Sequence, residues 1–209
     1  MLINTLLTDP VLFFRIVLIV IASVTLHELA HGWVALSQGD DTPKRSGHLT
    51  LNPIVHMGWE SIMFLCIAGI AWGKMPVNPS RFRKQKIGNI FVSVAGPLLN
   101  LALGILFIIV LKLNISGSSV KIWSSEFLYL AAYINLSLFM FNMLPIPPLD
   151  GFHVCSEFFP ELKALENKPL GLLALTFLLT SGLSEGMSIL ANGVFCTAIP
   201  LLQECHSLL

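Results

Sequence analysis

The chain has 209 residues, no formal net charge with its histidines neutral, and only 11% charged side chains against 55% hydrophobic ones. A soluble domain carries about 25% charged residues, and a chain of this size cannot hide so much apolar surface from water. That balance excludes a water-soluble globule, and no basic stretch interleaved with aromatics supports a nucleic-acid partner. The expected class is an all-α polytopic membrane protein, one domain over residues 1–209, with the lipid bilayer as its surroundings.

Val11 to about Gln38 reads as the first transmembrane helix, rich in Ile, Val and Leu. Met1 to Pro10 lacks the basic region and small-residue cleavage site of a signal peptide, so this run is expected to be retained. Arg15 near its start can snorkel to the interface. Near its end stands His27-Glu28-Leu29-Ala30-His31, the H-E-x-x-H pattern. Four-residue spacing puts both imidazoles on one helix face, a turn apart, where they can grip one metal ion. Glu28 is then placed to act on water at that metal. Three such polar groups inside a membrane-length apolar segment carry desolvation costs that structural residues seldom repay.

Gly39-Asp40-Asp41-Thr42-Pro43 breaks the helix, and a polar loop with Lys44, Arg45, His48 and His56 runs to Met57. Gly58 to Trp72 is apolar but covers only about 22 Å, against a hydrocarbon thickness of about 30 Å, so it is expected to be re-entrant or interfacial. Lys74 to Lys86 is the most basic loop and marks the cytoplasmic side. Ile87 to Leu113 is the next full span. Residues 114–125 form a short loop whose only basic residue is Lys121, which suits the outer side. Glu126 to Leu144 spans again and runs into Pro145-Ile146-Pro147-Pro148-Leu149-Asp150-Gly151, where the prolines stop the helix. Residues 152–168 read as a polar loop. Leu170 to about Gly182 and Met187 to about Leu202 read as two last helices or one broken hairpin, giving five to six apolar segments. Cys66, Cys155, Cys196 and Cys205 show no paired spacing, so no disulfide is expected.

Two histidines and a water leave one zinc position for a further protein ligand. Asp150, His153, Glu185 and Glu60 are the candidates. If residues 58–72 do not cross the bilayer, the first helix runs inward and ends with His27 and His31 near the cytoplasmic face. The span 87–113 goes out, the span 126–144 returns, and Asp150 emerges at similar depth. If residues 58–72 did cross, Asp150 would surface a bilayer away. Asp-Gly after prolines is also an ordinary turn signal. With an incomplete zinc site on the same face, the ligand role is preferred, and His153 is the fallback. Asn100 and Asn142 carry amides into apolar spans, where they serve either helix packing or the metal cavity, holding substrate backbone or an oxyanion.

Taken together, His27-Glu28-Leu29-Ala30-His31-Gly32, Ala95-Gly96-Pro97-Leu98-Leu99-Asn100 and Asn142-Met143-Leu144-Pro145-Ile146-Pro147-Pro148-Leu149-Asp150-Gly151 resemble the three motifs of the site-2 protease family of intramembrane zinc metalloproteases. Gly73-Lys74-Met75-Pro76-Val77-Asn78-Pro79 is similar to a further loop of that family. The resemblance covers roughly residues 20–155, and its core-only extent is similar to the compact branch without PDZ or CBS domains. It implies one Zn²⁺ held by His27, His31 and Asp150, with Glu28 catalytic and Asn100 and Asn142 lining the substrate region. It also implies a re-entrant or strand-like segment between the first two core helices, and a multi-pass protein of the cell membrane with its active site towards the cytoplasm. Its substrates would be transmembrane proteins cut within or near their spans. The competing reading is a non-proteolytic zinc scaffold or metal carrier. A carrier usually spreads polar residues along a path between repeated halves, whereas here they gather at one depth and no repeat is visible.

Overall fold

The computed structural model describes residues 1–115 and 123–165. Within them the chain is all helical: α1 (Leu2–Thr8), α2 (Pro10–Ser37), α3 (Thr42–Arg45), α4 (Pro53–Ala68), a 3-10 turn (Pro79–Arg81), α5 (Gln85–Ile115), α6 (Ser125–Asn142), α7 (Asp150–Phe158) and a 3-10 stretch (Pro160–Leu165). Lys121, Glu185 and the expected apolar segments from Leu170 to Leu202 lie outside the described residues, as do Cys196 and Cys205.

Local chemistry sets the helix ends. Asp9 caps α2 by accepting from the Leu12 N–H at 2.9 Å, with Pro10 in the first turn where a missing donor costs nothing. Ser124 caps α6 in the same way, and Glu126 in its first turn complements the helix dipole. α2 and α5 are long and apolar enough to cross a bilayer. At 18 residues α6 is shorter, about 27 Å, and carries Glu126, Asn135 and Asn142.

α5 is the central helix. It packs against α2 on one side, α6 on another, and α7 near its start. Ile108, Leu111, Leu128, Ala132 and Leu136 form the apolar seam between α5 and α6. Gly104 lets the backbones close there: a methyl group at this position would lie 2.8 Å from Leu136 Cδ2. Ala35, Phe82 and Val92 join α2 to α5 at the other end. The outer face of α5 exposes Leu98, Ile105 and Ile109, a stripe at helical spacing that suits lipid.

Two expectations change. The apolar segment begins not at Gly58 but at Pro53, because the Asn52 side chain accepts from the Ile54 N–H at 3.0 Å and starts a helix earlier. Gly58 then breaks that helix internally with φ 69, and no strand occurs among the described residues. The second change concerns residues 152–165, the described part of the expected loop over 152–168. They are not simply a loop, since α7 buries Phe152 and Ser156 and turns into the 3-10 stretch. Cys66 and Cys155 are free.

After α4 the chain runs without regular structure from Gly69 to Asn78, a strap laid against the C-terminal half of α2. Side chains hold it. Ser61 Oγ receives the Trp72 N–H at 2.9 Å and donates to the Trp72 carbonyl at 2.7 Å. The Lys74 N–H donates to the His56 carbonyl at 2.8 Å. Asp40, fully buried, takes the Asn78 N–H at 2.6 Å on one oxygen and the Thr42 hydroxyl and N–H on the other.

Candidate metal centre

His27 and His31 stand one turn apart on α2, both buried, and face α5. Asp150, the first residue of α7, meets them. The two Nε2 atoms are 3.0 Å apart; Asp150 Oδ2 lies 3.1 Å from His27 Nε2 and Asp150 Oδ1 3.5 Å from His31 Nε2. Donors on a tetrahedral zinc, each about 2.0–2.1 Å from the ion, sit about 3.3 Å from one another. The triangle therefore has the size of one face of a zinc tetrahedron.

The outward nitrogens show which atoms face inward. His31 Nδ1 lies 2.6 Å from the Val92 carbonyl, an acceptor only, so Nδ1 must carry the proton. His27 Nδ1 lies 2.5 Å from Asn100 Oδ1, likewise an acceptor. In the neutral imidazoles both Nε2 atoms then turn their lone pairs towards a carboxylate. Three acceptors in that arrangement repel one another unless a cation stands among them, so the donor set fits a metal ion. Gly96 of α5 completes the cradle. A methyl group there would lie 2.5 Å from both Nε2 atoms, on the ground an ion needs.

Glu28 is buried on the same helix, and its side chain rests against Gly73 of the strap, so closely that any Cβ at Gly73 would overlap it. A cavity of about 1200 Å³ opens over the triad, lined by Glu28, Val92, Leu138, Phe141, Asn142 and the strap among others. Its polar end reaches His153, Glu157 and Lys163. Glu157 is tied to Asn89 at 2.9 Å and to Lys163 at 2.7 Å.

Among the described residues, His27, His31 and Asp150 form the one group of three ligand side chains that converge. His153 lines the cavity without joining them, and Glu60 is exposed. Asn100 also borders the cavity, but it is fully buried, with its oxygen on His27 Nδ1 and its NH₂ donating to Asn135 Oδ1 at 3.1 Å. Asn142 lines the cavity, while its NH₂ donates to the Leu138 carbonyl one turn back at 3.0 Å. Sequence reasoning did not single out Asn135, and it named Gly96, Gly73 and Asp40 only as members of longer motifs without a role at the site. Asn135 had a signal, since it lies seven positions before Asn142 in the same apolar helix and carries an equally costly amide.

Comparison with known proteins agrees with this geometry. The chain is 39% identical over 151 residues to YwhC of Bacillus subtilis (strain 168), covering 69% of each. It is 28% identical to Rip2 of Mycobacterium tuberculosis (strain ATCC 25618 / H37Rv) over 96% of this chain and 80% of that one. To Zinc metalloprotease MJ0392 of Methanocaldococcus jannaschii it is 27% identical over 95% of this chain and 48% of that protein. All three carry the words zinc metalloprotease in their names. No solved structure gives a match. Peptidase family M50 matches residues 15–118 and 113–180, which takes in most of α2, the strap, α5, α6 and Asp150. The chain belongs to peptidase family M50, the site-2 protease family of zinc metalloproteases.

Proposed function

We propose that this protein is a multi-pass intramembrane zinc protease that hydrolyses peptide bonds within or near the transmembrane segments of other membrane proteins. The observation that carries the reading is the convergence of His27 Nε2, His31 Nε2 and the Asp150 carboxylate on one point, with Glu28 beside them at the floor of a largely apolar cavity. In this reading α2, α5 and α6 cross the bilayer. The exposed basic residues Arg81, Arg83, Lys84 and Lys86 share the inner end of α2 with the site, so the site faces the cytoplasm.

His27, His31 and Asp150 hold the ion. Zinc, when bound, supplies a Lewis acid that polarises the scissile carbonyl and makes water acidic enough to react near neutral pH. Glu28 takes the proton from the attacking water as the carbon–oxygen bond forms. It returns that proton to the departing amine as the carbon–nitrogen bond breaks. Burial against Gly73 keeps the carboxylate aimed at one spot. Asn142 offers its amide oxygen to the substrate backbone, and Asn100 orients His27. A substrate helix has its carbonyls locked in internal hydrogen bonds, so it must unwind before it reacts. The extended strap offers backbone groups to such an unwound segment by strand addition.

The test is co-expression of wild type and Glu28→Gln with single-span membrane proteins, together with the zinc content of each purified form. Glu28→Gln is expected to retain zinc and lose cleavage by about a thousandfold, within the usual span for general acid–base catalysis. Unchanged cleavage in Glu28→Gln, or a zinc-free wild type, overturns the reading. A carrier or scaffold would retain both zinc and its role without Glu28.

A further inference from the structure

The chain of amides behind His27 does not stop at Asn100. Asn100 donates from its NH₂ to Asn135 Oδ1 at 3.1 Å and towards the Ser23 carbonyl at 3.5 Å. Asn135 donates from its own NH₂ to the Ala131 carbonyl at 2.8 Å. Asn100 and Asn135 are 0% and 1% exposed. Each link fixes the next. The Ala131 carbonyl can only accept, so the Asn135 NH₂ must face it and the Asn135 oxygen must face Asn100. The Asn100 NH₂ then points at Asn135, which turns the Asn100 oxygen to His27 and demands the proton on His27 Nδ1. Without Asn135 the Asn100 amide loses its nearer acceptor, and a flipped amide would present NH₂ to Nδ1. That orientation favours the opposite imidazole tautomer, with the proton on Nε2, where a metal cannot bind.

We propose that Asn135 on α6 is a positioning residue for metal binding: through Asn100 it holds His27 in the tautomer whose Nε2 faces the ion. The proposal rests on reading the triad as a zinc centre. Outer-shell partners of metal-bound histidines change metal affinity by about 10–100-fold when removed, and here the effect is transmitted through a second amide.

The test measures the zinc dissociation constant and the cobalt(II) absorption spectrum of the full-length protein in detergent. Asn135→Ala is expected to weaken zinc about 10–100-fold and to alter the cobalt spectrum. In an Asn100→Ala background the same substitution is expected to cost nothing further, because the relay is already cut. Asn135→Asp is the conservative rescue. A carboxyl in this apolar setting stays protonated, accepts from Asn100 with its carbonyl and donates to Ala131 with its hydroxyl, so zinc affinity is expected to stay close to wild type. Ser137→Ala, two positions along α6 at a hydroxyl without a hydrogen-bond partner, is the control and leaves affinity unchanged. If Asn135→Ala lowers thermal stability but leaves zinc affinity intact, or costs as much with Asn100 absent as present, the relay is overturned. A wild type that binds no zinc overturns the metal centre itself, a separate result.

Discussion

The two walls of the site are built on opposite plans. On the α5 and α6 side every group lies within a regular helix. His27 is backed by Asn100, Asn100 by Asn135, and Asn135 by a main-chain carbonyl of its own helix. On the strap side an irregular segment lies against Glu28, held by a serine, a carbonyl and a buried aspartate. Helices lock their own backbone, so the first wall needs side chains only to aim the ligands. The strap has no ladder of its own and takes its shape from its pins. The metal side is thus shaped by helices, while the strap, which the proposed substrate would meet, is shaped by side-chain pins.

The sharpest way to break the helical side is Gly96→Ala. A single methyl group 2.5 Å from both Nε2 atoms removes the room for an ion while leaving every ligand in the sequence. Zinc content is expected to fall to background and cleavage to below detection, read by metal analysis and substrate assay. A variant with full zinc would mean that α5 yields where the geometry shows none to spare.

Asp40→Asn probes the strap side with a smaller effect. Burial alone would favour the neutral acid, but the hydrogen bonds from Thr42 and Asn78, with Arg81 nearby, outweigh it and hold the Asp40 carboxyl below the ordinary carboxylate range. An asparagine would turn its NH₂ towards donors, at a cost of about 2 kcal/mol. The variant is expected to keep its zinc, lose several-fold in cleavage rate and melt earlier in detergent. The pH dependence has a definite sign. A carboxyl whose folded-state value is depressed stabilises the fold above its unfolded value of about 3.9 and loses that contribution as pH falls through the lower folded one. The stability gap between wild type and Asp40→Asn is therefore full at neutral pH and closes on acidification below about 4. A gap that widened instead would contradict the pinning.

Arg15→Ala touches neither wall. Its 2.8 Å pair with Glu126 joins the starts of α2 and α6, but Glu126 is 72% exposed. Such a pair contributes about 0.2–1 kcal/mol, so the loss in thermal stability is small and zinc affinity is unchanged.

These contrasts also explain what could be read in advance. His27, Glu28 and His31 were legible because helical spacing alone puts the imidazoles together. Asp150 was legible because counting crossings brings the proline-rich bend back to the same depth, and the ligand distances agree. Gly96 and Gly73 were not legible as site residues: a glycine that matters for a missing methyl group leaves no trace of what stands opposite. Asn135 is chemically visible but its partner lies 35 positions away, and nothing in the local pattern names Asn100. The start of α4 was misjudged because the polar loop was carried to Met57, past the apolar Ile54 and Val55, whereas the cap at Asn52 begins the helix. Hydropathy reports burial; caps report where a backbone turn can start.

One consequence follows from where the ligands come from. His27 and Asp150 are 123 positions apart, so an ion held between them fastens the opening of the chain to a helix near the end of its matched core. Joining such distant points removes much of the freedom of an unravelled chain. At a free zinc concentration a thousand times the dissociation constant, occupancy adds about 4 kcal/mol to folding. Chelation would then loosen the whole bundle as well as halt the chemistry, and zinc supply would set how long the protein survives.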